Sequence, residues 1–325
     1  MIYLDKCFKK FVLYSTLFLS LAIFTGTSEA KLLVVGTTEH EALLAKQVGG
    51  DLIDVRWIVG ADEDAHFVEP NKTFLPILNK ADLLLVNGQD IEAGWLGFLL
   101  ADGRNEKINR DQEHYINLSE DATILPYTAE ELRQTKFYTV ILGMGLGKTV
   151  GNHHYWLDPA NEIPMIQNIK KALSSVDPGN SKTYESNAQG LMSRLEEKIK
   201  EWDAKMVPFK GKKIISYHRD WTYLAQRHGL EIVSYIEPRE MTRPTQADYT
   251  GLANRIKGKE VSAILLTETQ RPPYVNVDSI RDLAVKFHSK LIILPDSMSE
   301  SEKRTDVVVY FDHVYEELSK ALSHP

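Results

Sequence analysis

Lys213-Ile214-Ile215-Ser216-Tyr217-His218 is a short run of β-favouring residues that ends on a histidine, and the chain repeats this plan. Similar runs lie at 31–36, 53–59 and 83–87, with 114–118 as a weaker fourth, and again at 231–236, 263–268 and 290–294. They are rich in β-branched residues and leucine without polar alternation, the pattern of parallel strands buried on both faces. Helix-like segments at 40–48, 74–80, 246–256 and 277–287 fall between them. Strand alternating with helix predicts βαβ units and parallel sheets. The stretch 178–207 differs. It has a charged, helix-favouring middle in which Leu191, Leu195, Ile199 and Trp202 recur at three- and four-residue spacing. Pro178-Gly179 opens it, Pro208 closes it, and Glu201 and Lys205 are placed to pair along it. The expected fold is α/β: two domains, each with a mainly parallel sheet flanked by helices, joined by one long backbone helix. The expected divisions are a signal peptide at 1–30, a first domain at 31–177, the linking helix at 178–208 and a second domain at 209–325.

Composition narrows the class. The chain has 325 residues, 26% charged and 43% hydrophobic, as in soluble globular proteins, and a formal charge of −7. That charge argues against nucleic acid as a partner. At the N-terminus Lys6, Lys9 and Lys10 precede an apolar run at 11–24, and Ser28-Glu29-Ala30 supplies the small residues of a cleavage site. The run is shorter than the ~20 residues that span a bilayer, and it contains Ser15, Thr16 and Ser20. Export with cleavage near Ala30 is the expectation, most simply into a Gram-negative periplasm. Cys7 is the only cysteine and lies inside the leader, ahead of the apolar run. The mature protein is therefore expected to have no thiol, disulfide or lipid anchor.

His66, His154, His218 and Asp296 each sit just past a strand-like run or in the loop it feeds. Open α/β sheets bind ligands outside the carboxyl ends of their strands. Three imidazoles and one carboxylate gathered there match the donor set of a transition-metal site, zinc above all. Singly, each has a plainer reading. His66 could be a chance histidine in a solvated acidic loop, His218 a cap for the next helix, and Asp296 an N-cap. Adjacent His153 and His154 are expected to point apart, one binding and the other packing or facing solvent. Other signals are discounted. Gly143-Met144-Gly145-Leu146-Gly147-Lys148-Thr149 imitates a phosphate-binding loop but has Leu142 where glycine is needed. His40-Glu41-Ala42-Leu43-Leu44 starts like a zinc-protease helix but has Leu44 at the second histidine position. His228, His288, His313 and His324 lack companions at ligand spacing and read as surface residues.

Asp64-Ala65-His66-Phe67-Val68-Glu69-Pro70, followed by Ala81-Asp82-Leu83, Asn87-Gly88 and Trp95, resembles the opening of the zinc/manganese-type solute-binding proteins of metal ABC importers. His154-Tyr155-Trp156-Leu157-Asp158-Pro159 resembles that family's second ligand motif, Tyr217-His218-Arg219-Asp220-Trp221 the third, and Pro295-Asp296-Ser297-Met298 the fourth. The resemblance implies His66 and His154 as ligands from the first domain and His218 and Asp296 from the second. It also implies Glu268, in Leu266-Thr267-Glu268-Thr269-Gln270, as an outer partner or occasional ligand. His153 stands where the family often has proline, so it is an alternative to His154. Many zinc-specific members carry a histidine- and acid-rich loop after the first ligand region; here 101–119 holds only His114.

The resemblance thus implies no enzyme. It implies a monomeric, exported, metal-binding component of an ABC importer that takes Zn²⁺, with Mn²⁺ or Fe²⁺ as alternatives. Its partners would be a membrane permease and, indirectly, that permease's ATPase. A histidine at the third position leans to zinc. The rival from another class is a secreted zinc hydrolase with Glu268 or Asp296 as general base, and a third is a surface protein whose metal is incidental.

Overall fold

The computed structural model describes residues 30–127, 151–238 and 242–323. The leader and the glycine-rich stretch 143–149 lie outside the described residues, as does His324. Among the described residues no helix is long and apolar enough to cross a membrane.

Two four-stranded, all-parallel sheets organise the chain. The first contains β1 (Leu32–Thr38), β2 (Ile53–Val59), β3 (Leu83–Val86) and β4 (Tyr115–Asn117) in the order β2-β1-β3-β4. Its helices are α1 (Glu39–Gly49), α2 (Leu75–Leu78), α3 (Leu96–Asp102) and α4 (Glu162–Val176). A 26-residue helix, α5 (Ser181–Met206), follows. The second sheet contains β5 (Lys213–Ser216), β6 (Glu231–Tyr235), β7 (Ala263–Thr267) and β8 (Lys290–Leu294), ordered β6-β5-β7-β8. Its helices are α6 (Thr222–His228), α7 (Gln246–Arg255), α8 (Val277–Lys286) and α9 (Val307–Leu322). The two sheets share one connection pattern, and in each the first and third strands of the half are central.

The strands form where they do because their residues are buried on both faces. Val34, Leu83 and Leu85 face one way, while Val35, Leu84 and Val86 face the other, against Trp95, Leu96 and Leu99. The first group belongs to a core that also takes in β5, β7, β8, α4, α5 and α9. Helix α5 presents Tyr184, Ala188, Leu191, Leu195, Ile199, Trp202 and Met206 to that core. One continuous hydrophobic body thus takes in residues of both sheets and of the helix between them. Trp202 stacks on Tyr315 with centroids 5.1 Å apart, and its Nε1 donates to Asp312 at 2.9 Å. Truncating so large a buried side chain costs about 3–5 kcal/mol.

Several local expectations are corrected. Lys205 pairs with Glu316 of α9 at 2.5 Å, and Glu201 pairs with Lys198 at 2.8 Å. Glu201 is engaged by Lys198, and Glu316 on the facing helix lies within reach of Lys205. His228 is buried rather than on the surface. Its Nε2 lies 2.9 Å from the Tyr315 hydroxyl, and burial pulls its pKa down to about 4. Asp296 caps no helix, because α9 begins at Val307 and Asp306 accepts from its first amides. His218 likewise lies ahead of Trp221, which precedes α6.

The carboxyl end of β1 is held by a buried acidic pair. The Thr37 hydroxyl lies 2.8 Å from Glu92 and 3.1 Å from Glu41, and Glu41 also accepts from the Thr38 amide. Burial, followed by the charge of Glu92, raises Glu41 from 4.5 to about 8, and burial raises Glu92 to about 7. The two titrate as a coupled pair. The folded protein then keeps protons that an unfolded chain has released above its ordinary value of 4.5. Stability from this source is complete below that value and falls as pH rises through about 7 to 8. Glu41→Gln is expected to melt above the parent at about pH 8.5 and to lose stability less steeply from about pH 6 upward. Calorimetry at several pH values tests this; parallel curves for parent and variant would contradict it.

Candidate metal centre

The loops at the carboxyl ends of the strands line a hollow of about 800 Å³. Its wall includes His66, His154, His218, Asp220, Glu237 and Asp296. At its wall His66, His154 and His218, with His153 behind them, form one group, with a ligand nitrogen from each imidazole lying within 4.8 Å of all the others. Among the described residues this is the group of three or more such side chains that can hold a metal ion.

His66 follows β2. Asp64, two residues earlier, accepts from the His66 amide at 2.9 Å and from its Nδ1 at 2.6 Å. Trp95 Nε1 donates to the Ala65 carbonyl at 3.0 Å, which pins the loop from α3's side. Burial pushes the Asp64 carboxyl up, but its contacts with His66 pull harder and leave it below the ordinary value. With Nδ1 donating to a carboxylate, His66 turns Nε2 inward, where it lies 2.7 Å from His153 Nε2.

His153 and His154 precede a single 3-10 turn, Tyr155–Leu157. Asn152 repeats the device of Asp64: its Oδ1 accepts from the His154 amide at 3.0 Å and from Nδ1 at 2.9 Å. Its Nδ2 donates to the Arg219 carbonyl at 2.9 Å, and the Tyr223 hydroxyl donates to its backbone oxygen at 2.5 Å. The loop is therefore tied to the second half of the chain. Asn87 Nδ2 donates to the His153 carbonyl at 3.2 Å. Gly151 has no room for a side chain, since a Cβ there would stand 2.3 Å from Ile124 and 2.6 Å from the Leu125 carbonyl. Both histidines are buried, with ring centroids 4.3 Å apart. The expectation that they diverge assumes strand-like alternation; the chain is instead entering a tight turn, with His154 at φ −80° and ψ 31°. Burial first, then neighbouring histidines, lowers both pKa values well below the ordinary one. Their rings are thus held neutral, the form that offers a lone pair.

His218 lies two residues past β5, and its Nδ1 contacts Glu237 Oε2, two residues past β6. Glu237 is fixed by its own amide donating to the Tyr217 carbonyl at 2.9 Å and by accepting from the Thr242 amide at 3.1 Å. Asp220 stands beside the group: its Oδ1 is 3.2 Å from His154 Nε2, and Oδ2 accepts from Gln270 at 2.7 Å. Asp296 accepts from the Thr269 hydroxyl at 3.0 Å, and Trp156 Nε1 donates to its carbonyl at 2.7 Å. Burial, then the charge of Asp220, raises Asp296 to about 7. It lines the hollow but lies outside the four-histidine group. Glu268 is directed elsewhere, ion-paired with Arg304 at 2.5 Å.

Three of the four imidazoles thus have Nδ1 held by an oxygen: Asp64, Asn152 and Glu237. A carboxylate or amide oxygen behind Nδ1 fixes the tautomer and aims Nε2 at a metal. Sequence reasoning passed over Asn152, Asp220 and Glu237. Asn152 has a local signal, since Asp64-x-His66 and Asn152-x-His154 are the same pattern. Glu237 has none, because it reaches His218 from a neighbouring strand.

Comparison with known proteins agrees with this architecture. Residues 34–321 match a family described as ZnuA, the periplasmic component A of the zinc-uptake complex. A manganese ABC transporter substrate-binding lipoprotein, PsaA of Streptococcus mitis, is 25% identical over 91% of this chain and 92% of its own length. An iron ABC transporter substrate-binding lipoprotein, MtsA of Streptococcus pyogenes, is 27% identical over 87% of this chain and 86% of its own. Among solved structures, a ZnuA crystal structure superposes with a TM-score of 0.71 at 21% identity, covering 90% of this chain and all of that one. A manganese-bound periplasmic metal-binding protein from Candidatus Liberibacter asiaticus gives 0.70 at 17%, with the same coverage. The chain belongs to the ZnuA family, metal-binding substrate-binding components of ABC transporters.

Proposed function

We propose that this protein captures one zinc ion between its two halves, at Nε2 of His66, His154 and His218, and delivers it to the permease of an ABC importer. Two groups border the remaining position, His153 and the Asp296 carboxylate. The observation that carries the reading is the set of Nδ1–oxygen contacts, which leave the Nε2 atoms of three imidazoles converging on one point. Imidazole nitrogen suits zinc better than manganese, which favours oxygen donors. The acidic residues behind the rings, Asp64, Asp220 and Glu237, offset the charge an ion would bring. Relatives named for manganese and for iron make the choice of metal this chain's own. Glu268, the candidate base of a hydrolase, faces Arg304 instead of the imidazoles.

The accompanying reading is a periplasmic monomer exported by a leader cleaved near Ala30. Its two halves, 31–177 and 209–325, are joined by α5. The relatives named above are lipoproteins, whereas Cys7 precedes the apolar run of this chain. Metal analysis of protein purified without added metal tests the proposal. It should give about one zinc per chain, keep zinc against excess manganese, and show no turnover of esters or peptides. Preferential loading of manganese would overturn the zinc assignment, and zinc-dependent turnover would overturn the carrier role.

A further inference from the structure

We infer that His153 is itself a metal ligand, completing a shell of four imidazoles that makes the site discriminate zinc from manganese. The inference rests on the carrier reading above and assigns its open position. His153 is buried, its carbonyl is held by Asn87, and its Nε2 lies 2.7 Å from that of His66. The ring therefore cannot serve as remote packing: it occupies the space an ion bound to His66 would need. Ligand nitrogens about 2.0–2.1 Å from a tetrahedral zinc stand roughly 3.4 Å from one another. The His66–His153 edge would open by roughly 0.7 Å, while the wider edges of the group, up to 4.8 Å, would close.

Asp296 competes poorly for the same corner. Its Oδ1 is buried without a hydrogen-bond partner, but it stands outside the group, its Oδ2 accepts from Thr269, and its loop is tied down by Trp156 and by the Tyr310 hydroxyl, which donates to the Pro295 carbonyl at 3.2 Å. It faces the ion as a nearby negative charge. Four nitrogens and no oxygen in the inner shell favour zinc, and a nitrogen-poorer shell relaxes the bias against manganese. His153→Ala would remove one nitrogen and leave space for a water or for Asp296 to move in.

The test uses the mature protein, zinc and manganese salts, and the variants His153→Ala and His153→Gln. X-ray absorption on the zinc-loaded parent should show four imidazoles, falling to three in both variants. Zinc affinity should fall more than roughly 100-fold, beyond the range for loss of an outer partner, and the zinc-to-manganese affinity ratio should narrow at least roughly tenfold. Gln keeps the polarity and much of the volume, so a loss shared by both variants points to the lost nitrogen and not to a damaged fold. Three imidazoles plus an oxygen in the parent, or an unchanged affinity ratio in the variants, would overturn the inference while leaving the carrier reading intact. A parent that binds neither metal would overturn both. His218→Ala serves as the control, since it should abolish tight binding whichever group fills the fourth corner.

Discussion

His218→Ala is expected to lower zinc affinity by roughly a thousandfold, and Glu237→Gln by about 10- to 100-fold. His218 enters from the second sheet, whereas the other three imidazoles come from the first half, so a bound ion would bridge the halves through this ring. Without it, zinc could still be held by the first half but the cleft would lose its inner-shell contact on the opposite wall. Glu237 acts through His218. Its carboxylate accepts a hydrogen bond from Nδ1, which would keep the Nε2 lone pair toward a bound ion and raise the basicity of the ring. A glutamine can still accept there, but without the charge, so orientation survives and basicity is lost. The ordering His218→Ala well below Glu237→Gln, measured by competition with a chelating dye, separates ligand from orienting partner. Equal losses would mean that Glu237 matters only by holding the loop. His218→Ala also strips the buried Glu237 carboxylate of a partner, so the apo variant should melt below the parent; His218→Asn, which keeps a polar group at that place, should recover part of that loss without recovering zinc.

The architecture was legible where burial writes a continuous apolar run. Strands 53–59 and 290–294 match their expected bounds, the run 31–36 stops two residues short of the end of β1 at Thr38, and the others overshoot by a residue or two at their carboxyl ends. The overshoot has one cause. Asn87, His218 and Glu268 close apolar runs, yet each has left its sheet to enter the cleft loops, so function and strand end compete for the same residue. The α9 sequence Val307-Val308-Val309-Tyr310-Phe311 reads locally as a strand, and it is helical because Val307, Val308, Tyr310 and Phe311 all reach the shared core. At the site, residue types and order were readable, but the direction of His153 was not. That direction depends on the backbone of a turn and on anchors, Asn87 and Arg219, that lie 66 and 67 residues from the partners they hold.

Zinc should raise the melting temperature by roughly 5–10 °C when free ion stands near a thousand times the dissociation constant. Mass action at that ratio adds about 4 kcal/mol, since the ion binds the folded chain and has no comparable site in the unfolded one. A small zinc domain responds to chelator by unfolding, because its metal stands in for a core. Here the largest apolar cluster runs from Val34 on β1 through α5 to Leu322 on α9 without passing through the histidines. Removing the ion should therefore leave far-UV circular dichroism and cooperative melting intact. What it should change is local: with four imidazoles facing one another and no metal ion between them, amide exchange in the loops after β2 and β5 should quicken, while that of α5 stays slow. If chelator instead abolished cooperative melting, the shared core would be too weak to stand alone. The metal would then belong to the scaffold, a poor arrangement for a carrier that must give up its ion and remain folded.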